Sequence, residues 1–222
     1  MTKYLSESEA AQEIVAATNI LFETGAISRS GHANLSARIS ESEILMTSGG
    51  NVKNLDPKTL AVVDLDERVI RGKVAPENAE IISMHARSYR ARPDISSIVH
   101  THSPAPTAFA YAHEPLPIRA EPMLRFGQAV PVPVVPWAPL GSDESVGGII
   151  RVLEADQETL AVLLANHGLL AFGTSPTGTA RLIVALQEAA EAELAARALG
   201  GAKDFPADAL AQVRASMARV AR

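Results

Sequence analysis

Met84-His85-Ala86-Arg87-Ser88-Tyr89-Arg90-Ala91-Arg92-Pro93-Asp94 leads, through Ile95-Ser96-Ser97, into Ile98-Val99-His100-Thr101-His102-Ser103-Pro104. The first part continues a helical pattern predicted over 78–92, and Pro93-Asp94 stops it, because proline cannot extend a helix and restrains the residue before it. Ile98 to Thr101 reads as a strand. Ser103-Pro104 then opens a second helix with proline at its favoured first position. Within the strand, His100 and His102 stand two residues apart. Alternate residues of a strand share a face, so both imidazoles can converge on one point with little further ordering.

A third imidazole fits the same picture. Leu160 to Ala165 is a continuous apolar run, long enough for a buried strand and short for a helix, and Asn166-His167-Gly168 follows it. The glycine allows close backbone approach beside His167. Three neutral imidazoles with an open position describe a catalytic rather than a structural metal site, so His100, His102 and His167 are the expected ligands of a divalent cation. The competing reading is that His167 caps its strand while the pair hydrogen-bonds locally. The other histidines have plainer roles: His85 packs or orients a neighbour on its helix, His113 sits in an exposed loop, and His32 precedes a candidate substrate loop.

Outward from this core, Ser6-x-x-Glu9 is a capping box that opens a helix stopped at Gly25. Short strands are expected at 34–39, 44–47 and 60–65, with turns at Ser48-Gly49-Gly50-Asn51 and Leu55-Asp56-Pro57. Proline-punctuated edge strands are expected across 116–136. Helices follow at 142–154, 176–199 and 206–220. No repeat or linker divides the chain, which reads as one domain over 1–222.

The chain has 222 residues, 47% hydrophobic and 20% charged, a globular rather than disordered composition. With a net charge of −5 and no basic stripe, it lacks the electrostatic footprint of a nucleic-acid surface. Arg214, Arg219 and Arg222 alternate with alanines as the solvated side of a helix. There is no cysteine, so disulfides, thiolate metal sites and cysteine nucleophiles are excluded. The start of the chain lacks the apolar core of a signal peptide, and no stretch approaches a membrane span. A cytoplasmic protein acting on a small molecule, with neither nucleic acid nor membrane as partner, is the expectation.

The helix, the Arg92-Pro93-Asp94 turn, the His-x-His strand and Asn166-His167-Gly168-Leu169-Leu170 together resemble the class II aldolase/adducin family over roughly 14–194. The resemblance implies a three-layer α/β/α fold around a mostly antiparallel sheet, and a homotetramer. It also implies the three histidines as metal ligands, with zinc expected and manganese or cobalt as alternatives. Ala33-Asn34-Leu35-Ser36-Ala37-Arg38 and Thr47-Ser48-Gly49-Gly50 are similar to the family's anion-handling loops, which makes Asn34, Ser36, Ser48 and Gly49 candidate substrate donors. Read without the family, both stretches are ordinary turn chemistry.

The chain departs from the pattern at Pro76-Glu77-Asn78-Ala79-Glu80, where the sugar-phosphate aldolases have Ser-Ser-Glu. Glu80 is the first choice as general acid/base and Glu77 the second; helical spacing does not separate them. No tyrosine follows Tyr111; Arg119 and Arg125 are available instead, and an arginine fork suits a carboxylate as well as a phosphate. The implied function is a metal-dependent carbon–carbon lyase, an aldolase cleaving a small hydroxylated substrate, phosphorylated or not, through an enediolate. The alternatives are a decarboxylase of a hydroxylated or aromatic acid, an epimerase or dehydratase, and a non-catalytic adducin-like scaffold.

Overall fold

The computed structural model describes residues 4–220, so Arg222 lies outside the described residues. Helix α1 (Glu7–Glu23) starts at the capping box, where the Ser6 hydroxyl accepts from the Glu9 amide and the Glu9 carboxylate accepts from the Ser6 amide. Gly25, at φ +70°, takes the left-handed conformation that ends it. Strands β1 (Ala33–Arg38), β2 (Glu43–Met46), β3 (Ala61–Asp64) and β4 (Val69–Arg71) form an antiparallel meander. Helix α2 (Ala79–Ala91) leads to β5 (Ser97–Thr101), and α3 (Pro104–Ala112) departs from it. After α4 (Glu121–Arg125) and β6 (Val134–Val135) come α5 (Asp143–Ala155), β7 (Ala161–Leu164), β8 (Gly168–Gly173), α6 (Pro176–Arg197) and α7 (Ala209–Val220).

Among the described residues the strands form one sheet of order β4-β3-β2-β1-β5-β8-β7-β6, antiparallel except for β6 against β7. Both faces are covered. Ile14 and Leu21 of α1, Phe109 of α3 and Leu182, Ile183 and Leu186 of α6 pack on Leu35, Val99, Leu169 and Ala171. On the opposite face, Ile81, Met84 and Tyr89 of α2 and Val146, Ile149 and Leu153 of α5 meet Ile98, Leu170 and Phe172. Covering both sides explains why the central strands read as unbroken apolar runs, with the odd and even residues of β8 going to different layers. The three-layer arrangement is therefore as expected.

Three elements differ from the sequence reading. β4 was not anticipated: its three residues are exposed, so it carries no burial pattern. β8 was not anticipated as a strand. The stretch 116–136 holds less sheet than expected. It contains an isolated Leu116–Val132 bridge, the two-residue β6 and, between them, the helix α4 with Pro122 in its first turn. Proline there opened a helix rather than marking a strand edge, since its fixed φ suits both.

Candidate metal centre and active site

Three imidazoles meet where β5 and the β7–β8 turn come together. The Nε2 atoms of His100 and His102 are 3.2 Å apart, those of His102 and His167 3.2 Å, and those of His167 and His100 3.0 Å. His100 lies in β5 and His102 one residue beyond its end, and their spacing of two brings both rings to one point. His167 is brought across by the turn after β7, where Asn166 adopts φ +56°. Gly168 is needed for this closeness: a Cβ there would lie 2.8 Å from His102 Cδ2 and 2.9 Å from the Thr101 carbonyl oxygen.

The donor set suits a cation. Metal–nitrogen bonds of about 2.0–2.1 Å place tetrahedral ligand nitrogens about 3.3–3.4 Å apart and right-angled ones about 2.9 Å apart. The measured separations fall between these. His100 Nδ1 lies 3.0 Å from the Leu169 carbonyl, which accepts its proton and leaves the Nε2 lone pair facing the other two rings. Three lone pairs turned on one point repel unless a proton or a metal ion lies between them. Burial, followed by the neighbouring rings, presses His100 well below the ordinary imidazole range and His102 down to about 4. Burial also lowers His167. These residues form the described cluster of the type that holds a metal ion.

Other side chains frame the cluster. His32, half-buried, stacks on His102 with ring centroids 5.0 Å apart, and it is held there by Gly50, where a Cβ would be 2.7 Å from its Cε1. Asn78, 4% exposed, donates to the Ser48 carbonyl at 3.3 Å and borders Gly49 and Gly50. Asn34 is the direct cross-strand partner of His100, so the two side chains share a face. On the far side of His167, a cavity of about 90 Å³ is walled by Val135, Trp137, Leu140 and Ser145.

The structure thus gathers His100, His102, His167 and Asn34, with Ser48 and Gly49 joined to them through His32 and Asn78. Glu80 is exposed in the first turn of α2 and packs against Gly141, next to Leu140 of the cavity wall. The Glu77 side chain lies outside what is described. Two residues are not brought together with the rest. Ser36 is fully buried, its hydroxyl 2.7 Å from His85 Nδ1 and 2.9 Å from the Tyr89 hydroxyl, so it is occupied inside the sheet–helix layer. Arg125 is ion-paired to Glu121 and lines a separate cavity of about 290 Å³ with Asp94, Phe172, Gly173 and Thr179. Gly173 pairs with Ser97 at the start of β5, about 17 Å of strand away from the histidine end. Sequence reasoning missed Asn78 and did not place His32 against His102; the position of His32 in Gly31-His32-Ala33-Asn34, two residues ahead of Asn34 in β1, was the available clue.

Comparison with known proteins agrees with this geometry. The sequence profile of the Class II Aldolase and Adducin N-terminal domain matches residues 12–194. The chain belongs to this family. It is 28% identical to a 5-methylthioribulose-1-phosphate/5-deoxyribulose-1-phosphate aldolase of Escherichia coli O45:K1 (strain S88 / ExPEC) over 62% of this chain and 62% of that relative, just under two thirds of its length. A 3-oxo-tetronate 4-phosphate decarboxylase of Escherichia coli K12 is 28% identical over 83% of this chain and 86% of its own. The fold superposes on a solved L-fuculose 1-phosphate aldolase with a TM-score of 0.82, at 24% identity, covering 98% of this chain and 99% of that one. This class II aldolase/adducin chain has no described helix long and apolar enough to cross a membrane.

Proposed function

We propose that this chain is a metal-dependent carbon–carbon lyase that cleaves a small hydroxylated substrate carrying a phosphate, in the manner of an aldolase. The observation that carries the proposal is the triangle of three Nε2 atoms 3.0–3.2 Å apart, with His100 fixed in its tautomer by the Leu169 carbonyl. A divalent cation held by His100, His102 and His167, zinc in our reading, supplies Lewis acidity to the oxygen beside the breaking bond. The protein's own residues do the rest. Asn34, Ser48 and the Gly49 amide grip the phosphate. Glu80 carries the proton between the departing fragments. A single domain spanning 1–222, assembled as a cytoplasmic homotetramer, completes the proposal.

The phosphate is supported by the relatives, since the aldolases and the decarboxylase named above all carry it in their substrate names. Decarboxylation is the second reading, and the similarity to the 3-oxo-tetronate 4-phosphate decarboxylase favours it. It no longer draws on Arg125, which lies at the other end of β5. Both reactions leave a carbanion beside an oxygen that needs the same stabilisation.

Elemental analysis of the purified protein and of His102→Ala tests the proposal. We expect close to one divalent ion per chain, lost in the variant, and cleavage of hydroxylated sugar phosphates by the wild type alone. A wild type that neither carries metal nor takes up added zinc removes the lyase mechanism and leaves a scaffold.

A further inference from the structure

Asn34 belongs to a buried chain of polar groups that the proposed chemistry does not use. His85, fully buried, lies with Nε2 2.6 Å from Asn34 Oδ1 and Nδ1 2.7 Å from Ser36 Oγ. Ser36 Oγ is in turn 2.9 Å from the Tyr89 hydroxyl. Arg38 anchors the far end, donating from Nη2 to the Tyr89 carbonyl at 2.7 Å with its guanidinium 5.0 Å over the Tyr89 ring.

From Ser36 to Asn34 the hydrogens along this chain have one direction. A carbonyl oxygen only accepts, so His85 Nε2 carries the proton that meets Asn34 Oδ1. Burial pushes His85 down to about 3, which keeps the ring neutral and Nδ1 bare. Nδ1 therefore accepts from the Ser36 hydroxyl, while Tyr89, whose phenol burial pushes upward and keeps protonated, has its hydroxyl beside Ser36 Oγ and donates to the Ser36 carbonyl at 3.2 Å. The last group is the Asn34 amide nitrogen. It has no protein partner among the described residues and is not one of the atoms sealed from solvent, although the residue is only 2% exposed.

We propose that His85 is a positioning residue that fixes which end of the Asn34 side chain faces the histidine cluster. Held by its oxygen, Asn34 presents N–H donors, which suit an anion. Turned over, it would present an oxygen, which suits a hydroxyl and repels an anion. His85, Ser36 and Tyr89 thereby set the cleft's preference for an anionic oxygen without touching the ligand. The inference rests on the proposed role of Asn34 in holding the substrate's phosphate.

Calorimetric titration of inorganic phosphate into the metal-loaded protein tests it, with metal content measured alongside. His85→Leu should keep its metal and bind phosphate about tenfold more weakly, the loss of one hydrogen bond to a charged group. His85→Gln, whose amide nitrogen reaches the place of Nε2, should return to within about threefold of wild type by restoring that bond. Adding His85→Leu to Asn34→Ala should weaken binding no further than Asn34→Ala alone, because the two act through one contact. Should His85→Leu fail to fold, Ser36→Ala removes the donor that keeps Nδ1 bare and should lower the affinity in the same direction. Equal affinity in wild type, His85→Leu and Ser36→Ala overturns the positioning role, as does a glutamine variant no better than leucine or additivity with Asn34→Ala. A metal-loaded wild type that binds no phosphate overturns the anion reading of the site itself, and this inference with it.

Discussion

Lowering the pH should destabilise this protein through His85 in particular. In the fold the imidazole is fully buried and pressed down to about 3 by burial; in the unfolded chain it titrates near the ordinary 6.5. Above pH 6.5 the ring is neutral in both states and contributes no pH dependence. Below it, the unfolded chain takes up a proton that the folded one refuses, so stability falls as the pH drops through the window from 6.5 to about 3. At pH 5 the difference amounts to about 2 kcal/mol relative to pH 7.5, and at pH 4 to about 3 kcal/mol. For a chain of this size the pH 5 figure corresponds to about 4–8 °C in Tm. Denaturant unfolding at pH 7.5 and 5 would be compared for wild type and His85→Gln, which cannot titrate there. The three cluster histidines and all carboxylates are common to both proteins and cancel. Wild type should lose about 2 kcal/mol more than the variant. Parallel losses would refute the reasoning, because they would mean that His85 accepts a proton inside the fold near its ordinary pKa.

Two further outcomes are expected. Glu80→Gln should keep the metal and lose about 10²–10⁴-fold in turnover; unchanged turnover on a cleaved substrate would move the proton transfer to Glu77 or elsewhere. Gly168→Ala forces a Cβ to within 2.9 Å of the Thr101 carbonyl and 2.8 Å of His102. Competition with a chelator should show metal affinity reduced by about 10–100-fold, and unchanged affinity would mean that the β7–β8 turn does not hold His167 in place.

What the sequence disclosed follows how local each signal was. The capping box at Ser6 and Glu9 and the Pro104 start of α3 are complete within a few residues and stand where expected, and of the two cap candidates for α5, Ser142 and Asp143, the structure takes Ser142. His100 and His102 were legible because strand periodicity alone places them together. His167 needed only the end of an apolar run and a glycine. What stayed hidden depends on contacts between distant segments. Ser36 resembled a ligand donor, but whether its hydroxyl faces the cleft or α2 depends on how β1 packs against His85, 49 residues later. Arg125 could be assigned to substrate only in ignorance of α4, which fixes it to Glu121 one turn away and at the wrong end of β5. Asn78 became visible only when the Ser48–Gly50 turn was seen to rest on it.

The histidine triangle sits at strand ends locked in register, β5 against β8 and β8 against β7, whereas several of the groups around it, unlike Asn34 of β1, come from connecting segments. His32 precedes β1, Gly50 lies in a turn, and Trp137 and Gly141 lie between β6 and α5. Part of the substrate preference is therefore written apart from the cation's seat. Substitutions in the connecting segments can reshape what is recognised while the cation's seat stays untouched. A lineage built this way can diversify without passing through inactive ancestors, which gives a physical reason for this chain to be similar, at under a third identity, both to aldolases and to a decarboxylase.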